Sequence, residues 1–152
     1  MSVLLGTELN PALTDLFDKR IGTVIVATID QEFHPHTAPF NFVVVRDPKN
    51  IRIAISRDHQ TYQNIVNNGY VAVAALDEGD IAVCIKGVGH IIRNAMDIDY
   101  NIAVVEVEIT EIKKDNSMLH FVTQGIRIRH KNEPSLLLSR KIFQELNQIE
   151  TR

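Results

Sequence analysis

Three runs rich in β-branched and apolar residues follow one another with almost no chain between them. They are TVIVATID (23–30), HTAPFNFVVVRD (36–47) and IRIAIS (51–56), linked by QEFHP and by the turn signal DPKN (47–50). Links this short suit hairpins, whereas a parallel pair needs a crossover of about a dozen residues or more. Three further runs repeat the pattern: YVAVAAL (70–76), IAVCIKGVGHIIR (81–93) after the turn DEGD, and NIAVVEVEITEIKK (101–114). The last alternates Val105, Val107, Ile109 and Ile112 with Glu106, Glu108 and Glu111, slipping phase near its end. Strands and helices do not alternate regularly, so a doubly wound parallel sheet is disfavoured. The chain is predicted to be mainly β (β+α): six antiparallel strands curled into a small barrel. The glycines of KGVGH (86–90) mark a bulge or sharp coiling, and 118–129 is expected to be extended.

Three helices are predicted to flank the barrel. Asn10 and Pro11 suit an N-cap and first helical position, with Leu13, Leu16 and Phe17 at helical spacing, Lys19 and Arg20 in the last turn, and Gly22 as the stop. A second helix runs from about 59 to 68 and closes on Gly69. A C-terminal helix covers 134–149, with Pro134 or Ser135 at its start.

The 152 residues, 45% of them hydrophobic, suffice for one domain with its own core. With no Trp and 6% aromatics, that core must be aliphatic. A net charge of −3 lacks the basic excess of a nucleic-acid binder. No apolar run approaches the ~18 residues of a membrane span. No basic segment leads into an apolar one at the N-terminus, so a cytoplasmic protein is expected. The single cysteine, Cys84, falls mid-strand and reads as a buried, inert thiol.

Few places can carry chemistry. In AISRDHQTYQNIVNNG (54–69), a strand runs into a helix through Ser56, Arg57, Asp58, His59, Gln60 and Thr61. The first N–H groups of a helix lack intrahelical partners and carry partial positive charge, and Arg57 offers a fork suited to phosphate. Local chemistry leaves two readings open: an anion seat, or an ordinary capped helix with a solvated arginine. His34 and His36 could share a strand face as metal ligands, but no third ligand is evident and no metal site is expected. Pro39 removes a ladder donor, which suits a strand edge or a place where a ligand meets the backbone. Arg127 and Arg129 form a basic stripe in GIRIRHK (125–131), either a solvated face or a contact for an anion or a partner.

In order and spacing, VIVATIDQEFHPHTAPFNF, ISRDHQTYQNI, NNGYVAVAAL and CIKGVGHII resemble the motifs of the FMN-binding split-barrel family, which includes the pyridoxamine 5′-phosphate oxidases. The likeness extends from about residue 10 to 112. It implies one FMN-binding split-barrel domain over residues 1–152 and a small flavin-dependent oxidoreductase. It also implies a homodimer holding the flavin in a groove between subunits. Carried over by position, Ser56, Arg57, His59, Gln60 and Thr61 would surround the FMN phosphate. Pro39, Phe40 and Asn41 would approach the isoalloxazine through backbone groups. Gln60 stands where many relatives have Lys or Arg. The C-terminal RKIFQELNQIETR does not resemble the substrate-binding tail of true pyridoxamine 5′-phosphate oxidases, so that activity is not expected. Two alternatives stand beside FMN: a haem or deazaflavin F420 binder on the same barrel, and a cofactor-free interaction module using Arg127 and Arg129. For haem, His34, His36, His90 and His120 are the candidate axial ligands.

Overall fold

The computed structural model describes residues 2–19 and 22–149, with Lys19 described by its backbone alone; the Lys19 side chain and Arg20, expected in the last turn of the first helix, lie outside the described residues. Eight strands and three helices follow in the order β1 (Val3–Gly6), α1 (Pro11–Lys19), β2 (Val24–Ile29), β3 (Pro35–Phe40), β4 (Val43–Asp47), β5 (Asn50–Ser56), α2 (Gln60–Asn68), β6 (Tyr70–Asp77), β7 (Ile81–Arg93), β8 (Ile102–Lys114) and α3 (Glu133–Gln148). All strand pairs are antiparallel, in the order β3-β2-β6-β7-β8-β5-β4, with β1 on the far end of β8. The two ends of this path, β3 and β4, are consecutive in the chain and only Asn41 and Phe42 separate them. The sheet must therefore curl until its edges meet, which makes it a barrel with a seam.

The strand count exceeds the six expected for two reasons. The run 36–47 breaks at Asn41 because the chain changes layer there. Phe40 belongs to the barrel interior, while Phe42 packs outside against Phe143 with ring centroids 5.3 Å apart. The N-terminal strand β1 is short and exposed, and it exists because Lys113 and Lys114 of β8 leave ladder groups for Leu4 and Val3. Among the described residues, the expected extended segment 118–129 joins the ladder through a single bridge, Thr23 to Ile126.

The bulge predicted at KGVGH is present, as a register shift between Lys86 and Gly87. A Cβ on Gly87 would fall 2.4 Å from the Glu108 carbonyl oxygen, so only glycine lets β7 and β8 cross so closely.

Two apolar clusters hold the molecule. Inside the barrel, Val26, Val43, Ile51, Ile53, Val73, Ile85, Val105 and Ile112 pack with Leu13, Leu16 and Phe17 of α1. Outside it, Ile142, Leu146 and Ile149 of the α3 region cover Val44, Ala54, Val104 and Met96. Under α3, Arg52 and its cross-strand partner Glu106 form a buried pair at 3.2 Å. Arg52 also donates to the carbonyl of Ile149, satisfying an acceptor at the end of α3. The first helix begins as its sequence suggests, with Asn10 Oδ1 accepting from Leu13 N; α3 begins at Glu133, just before the expected Pro134, and Asn132 Oδ1 accepts from Ser135 N.

Candidate functional site

The site forms where β5 hands the chain to α2. Ser56 ends β5, Arg57 and Asp58 make the turn, and His59 is the N-cap with extended backbone (φ −77°, ψ 140°). Its Nδ1 accepts from the Thr61 N–H at 3.2 Å, so the neutral ring carries its proton on Nε2. Ser56 Oγ donates to Asp58, and the Arg57 N–H is held by the Asn101 carbonyl at 2.8 Å. Gly69 ends the helix in the left-handed region at φ 77°. The stretch is thus a capped helix start, and the cap is a histidine.

Capping does not use everything the loop offers. The Thr61 hydroxyl is fully buried and has no hydrogen-bond partner among the described residues; His36 Nε2 is buried and unpartnered as well. An unpaired buried polar atom costs about 1–3 kcal/mol, so such atoms commonly mark a place a ligand completes. Arg57 is exposed in the turn that leads into the helix start.

The strand β3 closes one side. His36, Ala38 and Phe40 face inward and Thr37 and Pro39 outward, as strand alternation requires. The Phe40 ring lies 5.2 Å from the His59 ring and the His36 ring 6.3 Å from it. Phe40 is therefore brought to the helix start. Pro39 exposes its ring on the opposite face of what is an edge strand, and Asn41 sits half-buried in the link to β4. Gln60 turns away: its amide donates to Asn64 Oδ1 at 2.7 Å, and Asn64 donates in turn to Thr28 Oγ1 at 2.9 Å.

His36, Asn64 and Thr28 were not assigned to this place from the sequence. The inward position of His36 follows from its alternation with Ala38 and Phe40, a signal present in HTAPF. The Asn64–Thr28 contact joins residues far apart in the chain and left no local trace.

Other candidates resolve differently. Asp30, Glu32 and His34 present ligand atoms within 4.8 Å of one another, so carboxylates do stand beside one histidine of the HPH motif, contrary to the sequence expectation. The same Asp30 Oδ1 accepts from the N–H groups of Glu32 and His34, which makes the trio a braced hairpin turn. His36 points away from it. Arg127 is committed to Asp77 at 3.0 Å, so the basic stripe is half taken; Arg129 remains exposed. Burial works against the Asp77 carboxylate, but donors from Glu78, Arg127 and Gly125 outweigh it and hold its pKa below the ordinary value. Cys84 is half-buried rather than enclosed, and desolvation pushes its thiol pKa up, which keeps it protonated at neutral pH.

An antiparallel barrel with its seam between β3 and β4, and a helix start facing that seam, defines a split-barrel protein. The family model described as pyridoxamine 5′-phosphate oxidase matches residues 10–128. The chain belongs to that family. Among solved structures, a provisional pyridoxamine 5′-phosphate oxidase from Lactobacillus delbrueckii superposes with a TM-score of 0.64 at 24% identity, over 74% of this chain and 98% of that one. An F420 reductase gives 0.61 at 15% identity (70% and 100% covered), and an FMN-binding protein from Syntrophomonas wolfei 0.56 at 11% (65% and 80% covered). At these identities the structures share the fold. Comparison with curated proteins returns no match. Among the described residues, no helix is long and apolar enough to cross a membrane.

Proposed function

We propose that the chain is an FMN-binding flavoprotein, one domain over residues 1–152, acting as a small cytoplasmic oxidoreductase and pairing as a homodimer. The observation that carries this reading is the Thr61 hydroxyl, buried without a partner in the first turn of α2, where helix N–H groups and Arg57 favour an anion. Family membership supplies the flavin as the anion's bearer. The phosphate would rest on Ser56, Arg57, His59 and Thr61. Gln60 contributes less than a lysine would, because its amide is occupied by Asn64. Pro39, Phe40 and Asn41 would meet the flavin ring along the β3 edge, where a proline costs no ladder bond.

When bound, FMN supplies the redox chemistry. The chain's own part is to bind and orient it. The apolar side of α3 is spent on β4, β5 and β8, which supports the expectation that the C-terminal segment does not serve as a pyridoxamine 5′-phosphate oxidase tail. The test is to purify the protein and identify any bound cofactor by absorbance and mass. A flavin spectrum with the mass of FMN is expected. A Soret band or the mass of a deazaflavin would replace FMN in this account.

A deazaflavin is the second reading, favoured by one observation. The only charges at the loop, Arg57 and Asp58, cancel, and a cation is missing at position 60. A phosphodiester monoanion needs less compensation than a phosphomonoester dianion.

A further inference from the structure

Polar side chains from three elements close a ring under the first turn of α2. His36 of β3 stands opposite Thr28 of β2 in the antiparallel ladder, so the two side chains share the inner face. Thr28 Oγ1 accepts from Asn64 Nδ2 at 2.9 Å. Asn64 and Thr61 are three positions apart on α2 and therefore lie on one helix face. The Thr61 N–H donates to His59 Nδ1 at 3.2 Å, and the His59 ring stands edge-on to the His36 ring at 6.3 Å. The circuit thus returns to β3.

Most of this ring satisfies itself. Thr28, Thr61 and Asn64 are 2, 0 and 1% exposed, so bulk water does not serve their polar atoms. Asn64 bonds Thr28 and takes the Gln60 amide, and His59 Nδ1 takes the Thr61 N–H. Two buried atoms are left without a partner among the described residues, Thr61 Oγ1 and His36 Nε2. Thr61 is bonded to the His59 ring and His36 faces that ring, so both open atoms border the same end of the helix. Phe40, two residues along β3 from His36 and 5.2 Å from His59, closes that end with an apolar surface. An accidental pair of unsatisfied atoms on two different elements would cost the fold twice.

The free groups here call for an acceptor. Helix N–H groups and the Arg57 guanidinium can only donate, and the Thr61 hydroxyl can donate as well. A phosphate oxygen accepts several such bonds at once. Gln60, whose position would supply a side-chain donor, spends its amide on Asn64. We propose that His36 takes that part: as the Nε2–H tautomer it donates from β3 to a phosphate oxygen of the ligand, beside the Thr61 hydroxyl. This role deepens the anion seat of the proposed function and rests on it. It also ties the seat to the strand that would meet the flavin ring, because His36 and Phe40 share one face of β3.

Two-bond 1H–15N spectra of the labelled wild-type chain read each imidazole nitrogen, and the H36Q spectrum assigns the His36 signals. At constant pH and ionic strength, FMN should shift the His36 Nε2 signal and fix it as N–H. Riboflavin, the same ring without the phosphate, should not. H36F should weaken FMN binding by about tenfold or more and leave riboflavin binding within about twofold, as loss of a bond to a charged group requires. H36Q, whose amide reaches about as far as Nε2, should keep most of the FMN affinity. The wild-type spectra decide whether or not H36F folds. An Nε2 signal that FMN leaves unmoved, an H36F chain that binds FMN like wild type, or an equal loss of FMN and riboflavin would overturn this role of His36 alone. A wild-type chain that does not bind FMN would overturn the proposed function, and inorganic phosphate at tens of millimolar then becomes the probe. A His36 shift with phosphate would keep the seat without the flavin, and no shift would overturn the seat as well.

Discussion

Gln60 donates its side-chain amide to Asn64 Oδ1 at 2.7 Å, one turn further along α2, and so lies along the helix rather than over its N-terminus. The position where many relatives carry a cation is thereby filled by a residue with another task. Replacing it with lysine should add a charge at the proposed seat of the phosphate. Gln60→Lys is expected to tighten FMN binding by about three- to tenfold at low salt, equivalent to ~0.7–1.4 kcal/mol, with the gain shrinking as salt screens it. Fluorescence titration at two ionic strengths checks this. No change at low salt would mean that the phosphate does not sit there.

Thr61 offers a cleaner separation of fold from function. Its buried hydroxyl has no hydrogen-bond partner among the described residues. Thr61→Val should leave the unliganded protein as stable as wild type or more so by up to about 1 kcal/mol, because it removes an unsatisfied polar atom. The same substitution should weaken FMN binding by about fivefold or more. Thermal melts without ligand, set beside affinities, test the two halves separately. A destabilised unliganded variant would show that the hydroxyl is already satisfied.

Arg52 ties α3 to the barrel through Glu106 and the carbonyl of Ile149. Arg52→Ala leaves the buried Glu106 carboxylate with the longer, half-exposed Arg46 contact at 3.7 Å and removes the support of the helix end. A loss of about 3–5 kcal/mol in urea unfolding is expected, the usual cost of breaking a buried pair from one side. A loss under 1 kcal/mol would mean that α3 is held by its apolar face alone.

Asp77 fixes a pH dependence. Its folded pKa lies below its ordinary value of 3.8, so the unfolded chain binds the proton more readily. The carboxylate therefore contributes stability above about pH 4, and that contribution is lost as pH falls from there through the folded pKa. Asp77→Asn should melt lower than wild type at pH 6, and the gap should narrow as pH falls below about 4. A gap of the same size at pH 6 and pH 3 would assign the effect to packing rather than charge.

Most strands were legible because β-branched runs and short turns are local signals, and the helix starts because capping residues are too. The break at Asn41 was not, because neither Asn41 nor Phe42 is a turn former by necessity; the two phenylalanines serve different layers only once α3 has docked. β1 escaped notice because its pairing with Lys113 and Lys114 is entirely non-local. At the candidate site, the Ser56–Thr61 loop could be read directly, while the inward turn of His36 and the diversion of Gln60 to Asn64 depend on contacts across elements. The histidine cap at His59 runs against the usual preference for Asp, Ser or Thr, and Asp58 one residue earlier has the more usual capping side chain.

The central claim is that the start of α2 holds the phosphate of FMN. Titration of the wild-type chain with FMN, followed by flavin fluorescence beside the Arg57→Ala variant, tests it most directly. Saturable binding at micromolar concentration or tighter is predicted, weakened about tenfold in the variant with a shallower dependence on salt, as loss of a charge-assisted contact requires. Failure of the wild-type chain to bind FMN at micromolar concentration, or binding that Arg57→Ala leaves unchanged, would contradict it.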